Sequence, residues 1–392
     1  MMHRSVRSIA WGVVVCVLAL LCVSNSHAKS GDLLTTMPVD HQGKKWRIAY
    51  LEGGSYQNYP ANLVSIVNGL IKLGWIDRIS IPYKEGDEDA KKMWEMLASS
   101  TKSRFIEFVP DAFYSAQWDD QKRKANQKAL LERIKNQKDI DMVLAFGTWA
   151  GQDMAVVDNT VPTIVISTSN PVESAIIKSV EDSGHDFIHA VVDPTRYQRQ
   201  VDIFHKIIGF KKLGVVYEDS VAGRSYAALE DIKTVAKQAG FSIVSCYAKS
   251  DVKELHVAYQ EVNRCYETLA KEVDAVYITN HSGVDKHNIA PIVNILLKHK
   301  IPSFSQNGSF EVRHGALLSI AQANFKYIGE FHASAMAKVF NGAKPRDLTQ
   351  IFENPPKIAI NLLSAKQIGF DPSIDLMGVA DEIYQFIGDK AF

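Results

Sequence analysis

Residues 141–174 read DMVLAFGTWAGQDMAVVDNTVPTIVISTSNPVES, and two short apolar runs within this stretch decide the predicted fold. The runs occupy residues 142–146 and 163–167 and are bounded by turn-forming residues. Short apolar runs of this kind are typical of strands that are buried on both faces of a parallel sheet. The stretch therefore predicts two neighbouring strands of an α/β fold.

A small polar cluster follows each predicted strand and opens a predicted helix. Thr148 and Trp149 come after the first strand. Ser169 and Asn170 come after the second, where Asn170 is placed to cap a helix that begins at Pro171. In an open parallel sheet, ligands bind outside the carboxyl ends of the strands, where free helix N-terminal amides point. We therefore expect a small-molecule site here.

Residues 1–28 have the three parts of a secretory signal peptide. Arg4 and Arg7 supply a basic start, residues 9–23 are uncharged and apolar, and residues 26–28 form a small-x-small cleavage site. An uncleaved signal anchor is the alternative, but the apolar run is short for a helix that spans a bilayer. We expect cleavage after Ala28 and export of the mature chain to the periplasm.

Charge and length limit the classes of partner. The chain of 392 residues has 44 basic and 44 acidic residues, and loss of residues 1–28 removes two arginines and no acids, which leaves 42 against 44. A nearly neutral chain lacks the basic excess of nucleic-acid-binding proteins, so no nucleic-acid partner is expected. The mature length suits two ordinary domains with substantial cores, and we expect a monomer.

Cys246 and Cys265 are the two cysteines of the predicted mature chain. Cys246 ends a predicted strand and Cys265 lies on the next predicted helix, so an oxidising compartment permits a disulfide between them. Two buried thiols are the alternative, because spacing does not show whether the side chains converge. The sequence has no CxxC, HExxH or clustered His and Cys residues, so neither a metal nor a cofactor is expected.

The alternation of strand and helix occurs twice along the chain. In the first half, a predicted strand at residues 46–51 precedes the loop that carries Ser55 and Tyr56. In the second half, the predicted strands lead into polar clusters near Tyr217, Asn280 and Asn307. Each half has the length of a small domain, which predicts an α/β fold of two similar doubly wound parallel-sheet lobes.

The final part of the chain interrupts this simple order. Residues 325–340 form a predicted helix that returns to the first half, and the tail returns to the second half with a last helix predicted at residues 381–387. Several chain crossings between the lobes suit hinge closure over a ligand. The predicted lobes are residues 45–192 plus about 324–345, and residues 193–323 plus about 346–392.

Residues 110–120 are less regular and carry Phe113, Tyr114 and Trp118. This segment either overhangs the cleft or packs on the surface of the first lobe. We favour packing on the surface.

The strand-end loops supply the chemistry of a small-molecule site. Hydroxyls and helix N-terminal amides near Thr148 suit a carboxylate. From the opposite lobe, Glu218, Asp219 or Asn280 is placed to meet an ammonium group. Aromatic side chains such as Trp149 would enclose a flat or apolar body. The alternative is structural, with these residues as helix caps and core edges. The candidate ligand-binding residues are Ser55, Tyr56, Thr148, Trp149, Ser169, Asn170, Tyr217, Asn280 and Asn307.

Several short motifs together resemble the ABC-transporter substrate-binding protein family, in the branch that includes tryptophan- and tyrosine-type binding proteins. They extend over nearly all of the predicted mature chain. The matching stretches are NGLIKLGW at 68–75, FGTWA at 146–150, VPT at 161–163, NPV at 170–172, LGVVY at 213–217, KIPSF at 300–304, HGAL at 314–317 and NLLSAKQIG at 361–369.

The resemblance implies a type I periplasmic-binding fold, whose two lobes are joined by a hinge of several crossings, and a membrane permease as partner. The implied function is capture of a small solute, with an amino acid or small aromatic solute favoured, and its delivery to an ABC-type permease. A ligand sensor of the same fold that signals to a membrane receptor is the alternative. An enzyme is not expected, because the sequence has no GxSxG elbow and no identifiable catalytic set.

Overall fold

The computed structural model describes residues 34–84, 87–322, 325–353 and 355–388. The predicted signal peptide at residues 1–28 lies outside the described residues. The strands are β1 Trp46–Glu52, β2 Ile106–Ser115, β3 Met142–Phe146, β4 Thr163–Ile166, β5 Ile188–Ala190, β6 Lys212–Tyr217, β7 Ser242–Tyr247, β8 Ala275–Ile278, β9 Ser303–Ser305, β10 Leu318–Gln322, β11 Pro356–Asn361 and β12 Glu382–Tyr384.

The helices alternate with these strands along most of the chain. They are α1 Asn58–Lys72, α2 Ala90–Ser100, α3 Asp120–Glu132, α4 Gly147–Met154, α5 Arg196–Ile208, α6 Val221–Tyr226, α7 Leu229–Ala239, α8 Leu255–Leu269, α9 Ile289–Lys298, α10 Ser309–Arg313, α11 Phe325–Phe340, α12 Leu362–Ile368 and α13 Ile374–Val379. A π-helical turn, Arg133–Gln137, extends α3, and a 3₁₀ turn, Pro345–Asp347, follows α11. None of the helices in the described ranges combines the length and apolar character that crossing a membrane requires.

The first lobe is built on a parallel sheet with the strand order β2-β1-β3-β4-β5. Every residue of β3 and β4 is buried, because apolar side chains cover both faces of this sheet. This burial on two faces explains why the apolar runs in residues 141–174 are continuous rather than alternating.

The second lobe is built on a sheet with the strand order β12-β11-β10-β9-β8-β6-β7. Its strand pairs are parallel except for β10 and β11, which are antiparallel. The prediction of two parallel-sheet lobes is therefore confirmed, with one antiparallel pair near an edge of the second sheet.

The chain passes between the lobes from β5 to α5, from β10 to α11, and from α11 to β11. Two of the connecting segments pair with each other, because the Val192 amide donates to the Gln350 carbonyl over 2.8 Å. Helix α11 returns to the first lobe and packs on α1, where a Cβ atom at Gly329 would lie 2.4 Å from the Ser65 backbone. The exact limits proposed for the lobes stay a prediction.

The helix predicted at residues 381–387 is wrong. Strand β12 lies there instead and pairs in parallel with β11, and the Asp381 amide donates to the Ile358 carbonyl over 2.9 Å. Backbone pairing with a distant strand overrides the local preference, and no local pattern in the tail reports it.

The helix predicted to begin at Pro171 is also wrong. Asn170 does cap a turn, since its Oδ1 accepts from the Glu173 amide over 3.1 Å and its carbonyl accepts from the Ser174 amide over 3.0 Å. The chain does not continue into a helix after this turn, because Ala175 has a left-handed φ of 56°, which a right-handed helix does not tolerate. Tight turns therefore follow β4.

Cys246 on β7 and Cys265 on α8 form a disulfide, with 5.6 Å between their Cα atoms. The bond ties an edge strand of the second sheet to the helix that covers it. Closing a loop of this length restricts the unfolded chain and is worth about 3 kcal/mol.

We predict that reduction of this disulfide destabilises the second lobe by about 3 kcal/mol. Dithiothreitol should lower the urea midpoint of the purified protein, measured by circular dichroism. The control is the Cys246→Ala/Cys265→Ala variant, whose midpoint should be low with and without the reductant. An unchanged midpoint on full reduction would contradict the prediction.

Candidate functional site

A cavity of about 400 Å³ lies between the two lobes, at the carboxyl ends of strands from both sheets. Ligands bind at this position in open parallel sheets. Several predicted site residues lie on its wall: Tyr56, Thr148 and Ser169 from the first lobe, and Asn280 and Asn307 from the second. Their role in binding stays a prediction.

Strand β3 and helix α4 meet at Gly147, which places Thr148 on the cavity wall. Gly147 has a φ of 83°, and an added Cβ atom would lie 1.9 Å from the Tyr59 hydroxyl, so only glycine fits this turn. Thr148 is 3% exposed, and its Oγ1 has no hydrogen-bond partner among the described residues. A buried hydroxyl without a partner costs stability, so this group is available to a ligand.

The turn after β4 supplies the next part of the wall. Thr168 Oγ1 is buried and, within the described ranges, also lacks a partner. Ser169 Oγ accepts a hydrogen bond from Asn280 Nδ2 over 3.2 Å, which joins the two lobes directly. The backbone amide of Asn280 donates to Gln306 Oε1 over 2.9 Å. The side-chain Oδ1 of Asn280 has no partner in the part of the chain that the structure describes.

A second direct contact between the lobes is made by Tyr56. Its hydroxyl donates to Asn307 Oδ1 over 3.2 Å, and Asn307 Nδ2 donates to Glu311 Oε1 over 3.0 Å. Ser305 donates to the other oxygen of the same carboxyl group. Burial raises the pKa of Glu311 to about 7, against the opposing effect of these hydrogen bonds. With both contacts made, the lobes are closed around the cavity.

Asp251 is a second buried acid on the cavity wall. The Tyr226 hydroxyl donates to its Oδ2 over 2.9 Å. Burial raises the pKa of Asp251 to about 7, although hydrogen bonds from Tyr226 and Trp149 favour its charged form. Because Trp149 lies in the first turn of α4, its hydrogen bond places Asp251 near the N-terminus of that helix.

Trp149 lies behind the wall rather than on it. Its ring packs edge-on against Trp118, with 5.5 Å between the centroids, and the Arg123 guanidinium lies 4.6 Å from its centroid. Trp118 itself lines the cavity, so the prediction that residues 110–120 pack on the lobe surface is wrong for this side chain. An added Cβ atom at Gly54 would lie 2.5 Å from Trp118 Nε1, which shows how closely this ring approaches the β1 loop.

The structure places three other candidate residues away from the cavity wall. Ser55 is exposed, and Asn170 uses its side chain to cap the turn at Glu173. Tyr217 packs in the core of the second lobe, and its hydroxyl donates to Ser245 Oγ over 3.1 Å. The role of these three residues in binding stays a prediction, because a position after a strand does not fix the direction of a side chain.

Sequence reasoning missed several wall residues, including Asp251, Tyr226, Arg196 and Glu311. Asp251 carried a usable signal, because it follows β7 in the same way that Asn280 follows β8. The others lie on helices rather than in the strand-end loops from which the candidate residues were chosen. No group of three or more His, Cys, Asp or Glu side chains within the described ranges is arranged to hold a metal ion.

Comparisons with known proteins agree on the class. The model of a family described as ABC transporter substrate binding protein matches residues 76–383. A tyrosine-binding protein from Clostridioides difficile is 23% identical over 224 residues, which are 56% of this chain and 61% of that protein. The chain thus spans less than two thirds of this curated relative's length.

Solved structures show the same fold. The ABC domain from Streptococcus pneumonia in complex with L-Trp has a TM-score of 0.65 at 19% identity, over 87% of this chain and 100% of that chain. A conserved domain protein from Vibrio cholerae gives 0.63 at 19% identity, over 87% and 100%. A ligand-free, open substrate-binding protein from Clostridium difficile gives 0.58 at 18% identity, over 86% and 99%. The two-lobed architecture is therefore of the type I periplasmic-binding kind.

We predict that Glu311→Gln makes the stability of the ligand-free protein less dependent on pH. Because the pKa of Glu311 is raised in the folded state, its contribution to stability is fully present below the unfolded pKa and is lost as pH rises towards 7. The loss is at most about 1.4 kcal/mol per pH unit. Urea unfolding at pH 5 and pH 7.5 measures it. Glu272→Gln on the exposed surface is the matched control, and an unchanged slope in Glu311→Gln would contradict the prediction.

Proposed function

Because the chain belongs to the ABC transporter substrate-binding protein family, we propose that it captures an amino acid or a small aromatic solute between its lobes and delivers it to an ABC-type permease. The observation that carries this proposal is a cavity between the lobes whose wall, within the described residues, has buried polar atoms without protein partners on both lobes. Such atoms recover their lost hydrogen bonds when a polar solute is enclosed.

One end of the cavity suits the head group of an amino acid. Thr148 and the N-terminus of α4 offer a hydroxyl and backbone amides to a carboxylate, and Asp251 offers a carboxyl group to an ammonium. Trp149 follows Thr148 in α4 and bonds Asp251, so the two halves of the head group have partners close to each other. An ammonium close to Asp251 would also lower its pKa and favour its charged form.

Aromatic side chains form much of the remaining wall. Tyr56, Tyr59, Trp118, Tyr197 and Tyr226 all line the cavity. Rings of this kind enclose a flat or apolar body well, and their hydroxyl and N–H groups add specificity. The structurally similar Streptococcus domain is in complex with L-Trp, and the Clostridioides relative is described as tyrosine-binding, which supports an aromatic amino acid as solute.

Capture works by closure in this proposal. Ser169 with Asn280, and Tyr56 with Asn307, join the lobes in the closed form. A solute that contacts both lobes binds the closed form better than the open form and shifts the population towards it. The mature protein acts in the periplasm as a monomer, after removal of the signal peptide, and its closed form is what the permease recognises. No enzymatic step and no cofactor are part of the proposal.

We predict that Thr148→Val weakens binding of the cognate amino acid by about tenfold, because one hydrogen bond to the solute is lost. The stability of the ligand-free protein should stay the same or rise, since a buried hydroxyl without a partner is removed. Native mass spectrometry of the purified protein identifies a retained solute, and calorimetric titration with that solute, or with L-tryptophan and L-tyrosine, measures affinity.

Thr163→Val is the matched control for this experiment. Thr163 is equally buried in the same lobe, but its hydroxyl is bonded to Asn159 and Val161, away from the cavity. This substitution should lower stability and leave affinity unchanged. Equal affinities of wild type and Thr148→Val would contradict the role of Thr148, and failure of any amino acid or aromatic acid to bind wild type would contradict the proposed function.

We further predict that the radius of gyration in solution falls when the solute saturates the protein, as small-angle scattering measures. Tyr56→Phe removes the hydrogen bond to Asn307 and should shift the ligand-free protein further towards the open form. The same radius of gyration with and without saturating solute would contradict closure.

A further inference from the structure

Arg196 is a cation on the wall of the cavity between the lobes. Its guanidinium lies 5.0 Å from the Tyr197 ring, and its Nε is buried without a hydrogen-bond partner in the described part of the chain. No carboxylate of the described residues forms an ion pair with it. A partly buried charge without a partner is costly, so its presence in a binding cavity calls for a partner from outside.

Two acids that line the cavity with Arg196 are bound elsewhere. Asp193 also lines the cavity, but its carboxylate pairs with Arg199, with Oδ2 2.9 Å from that guanidinium. Glu311 accepts hydrogen bonds from Asn307 and Ser305, and burial raises its pKa to about 7, so a large fraction of it is neutral at physiological pH. Neither acid neutralises Arg196.

The position of Arg196 on its helix adds to the local positive potential. Arg196 is the first residue of α5, and the first turn of this helix contains no acidic residue. The N-terminus of a helix carries a partial positive charge, so a cation there destabilises the helix and an anion stabilises it. A cation at this point therefore does not stabilise the helix, whereas its charge attracts an anionic group in the cavity.

Arg196 belongs to a different end of the cavity from Thr148 and Asp251. One helical turn after Arg196, Gln200 Nε2 donates over 3.3 Å to the Gln306 carbonyl, beside the Asn307 that Tyr56 contacts. Asp251 instead accepts hydrogen bonds from Tyr226 and from Trp149, which follows Thr148 in the chain. The rings of Tyr56 and Tyr59 are in edge contact, with 5.4 Å between the centroids, and lie between the two ends. The cavity thus has a head-group end, an aromatic middle and a cationic end.

We propose that Arg196 forms an anion subsite for the distal group of the solute, and that the solute is an amino acid whose side chain ends in a carboxylate or another strong hydrogen-bond acceptor. This inference rests on the proposed function, because it takes the amino-acid head group to lie at Thr148 and Asp251. It adds the chemistry of the opposite end, which specifies the class of side chain.

The test uses a matched series of amino acids that differ only at the distal position: phenylalanine, tyrosine, 4-carboxyphenylalanine and 4-aminomethylphenylalanine. Calorimetric titration of the wild-type protein should show the carboxyl compound binding about tenfold or more tighter than phenylalanine, and the aminomethyl compound binding most weakly. In Arg196→Gln, the advantage of the carboxyl compound should be lost while the affinity for phenylalanine changes little.

Lys206→Gln is the control, because Lys206 lies on the same helix, carries the same charge and pairs with Asp202 on the exposed surface. It should leave the order of affinities unchanged. Equal weakening of all four compounds by Arg196→Gln would show that Arg196 serves closure instead, and would overturn the inference alone. Failure of all four to bind the wild-type protein would count against the amino-acid head-group site, and the inference would fall with it.

Discussion

The closed form of this protein depends on polar groups at the strand ends of two sheets that face each other across one cavity. Where two such groups meet, as Ser169 meets Asn280, the lobes are joined by a hydrogen bond. Where they do not meet, as at Thr148 Oγ1 and Asn280 Oδ1, a buried polar atom has no partner in the described protein. Each such atom costs about 1–3 kcal/mol, so the unpaired atoms oppose closure of the ligand-free protein. A solute that satisfies these atoms makes closure favourable, which is the energetic basis of capture.

The aromatic residues around the site divide into those that line the cavity and those that hold other groups in place. Trp118 belongs to the first kind, and Trp149, which packs against it and bonds Asp251, belongs to the second. The Arg123 guanidinium over Trp149 is itself fixed by Asp153, with 2.8 Å between the charged atoms. This layered packing keeps Asp251 in one position, and a fixed carboxyl group selects a solute better than a mobile one.

Local patterns predicted the elements of this fold and failed where distant segments decide. The strands β3 and β4 and the turn at Gly147 follow from residues 141–174 alone, because burial on two faces and a required left-handed glycine leave a local trace. Strand β12 leaves no such trace, because it forms only when the tail folds back and pairs with β11.

The same distinction between local and distant causes applies to the site. The expectation that ligands bind at the carboxyl ends of parallel strands selected Thr148 and Ser169, which lie on the cavity wall. It also selected Tyr217, because it gives the position of a residue and not the direction of its side chain. Arg196 and Glu311 lie on helices α5 and α10 rather than in strand-end loops, so this reasoning did not select them.

The two buried acids of the cavity connect its electrostatics to the charge of the solute. Burial raises the pKa values of Asp251 and Glu311 to about 7, so the closed protein alone keeps both largely uncharged below that pH. An ammonium next to Asp251 would lower that pKa, and the ionised pair would then replace a neutral carboxyl group in a site of low dielectric. Glu311 has the opposite arrangement, because hydrogen bonds from Asn307 and Ser305 occupy its oxygens and leave Arg196 as the charge that faces the cavity at that end. One end of the site thus offers an acid and the other a cation. A solute with an ammonium at one end and an acceptor at the other would match this pattern in only one orientation.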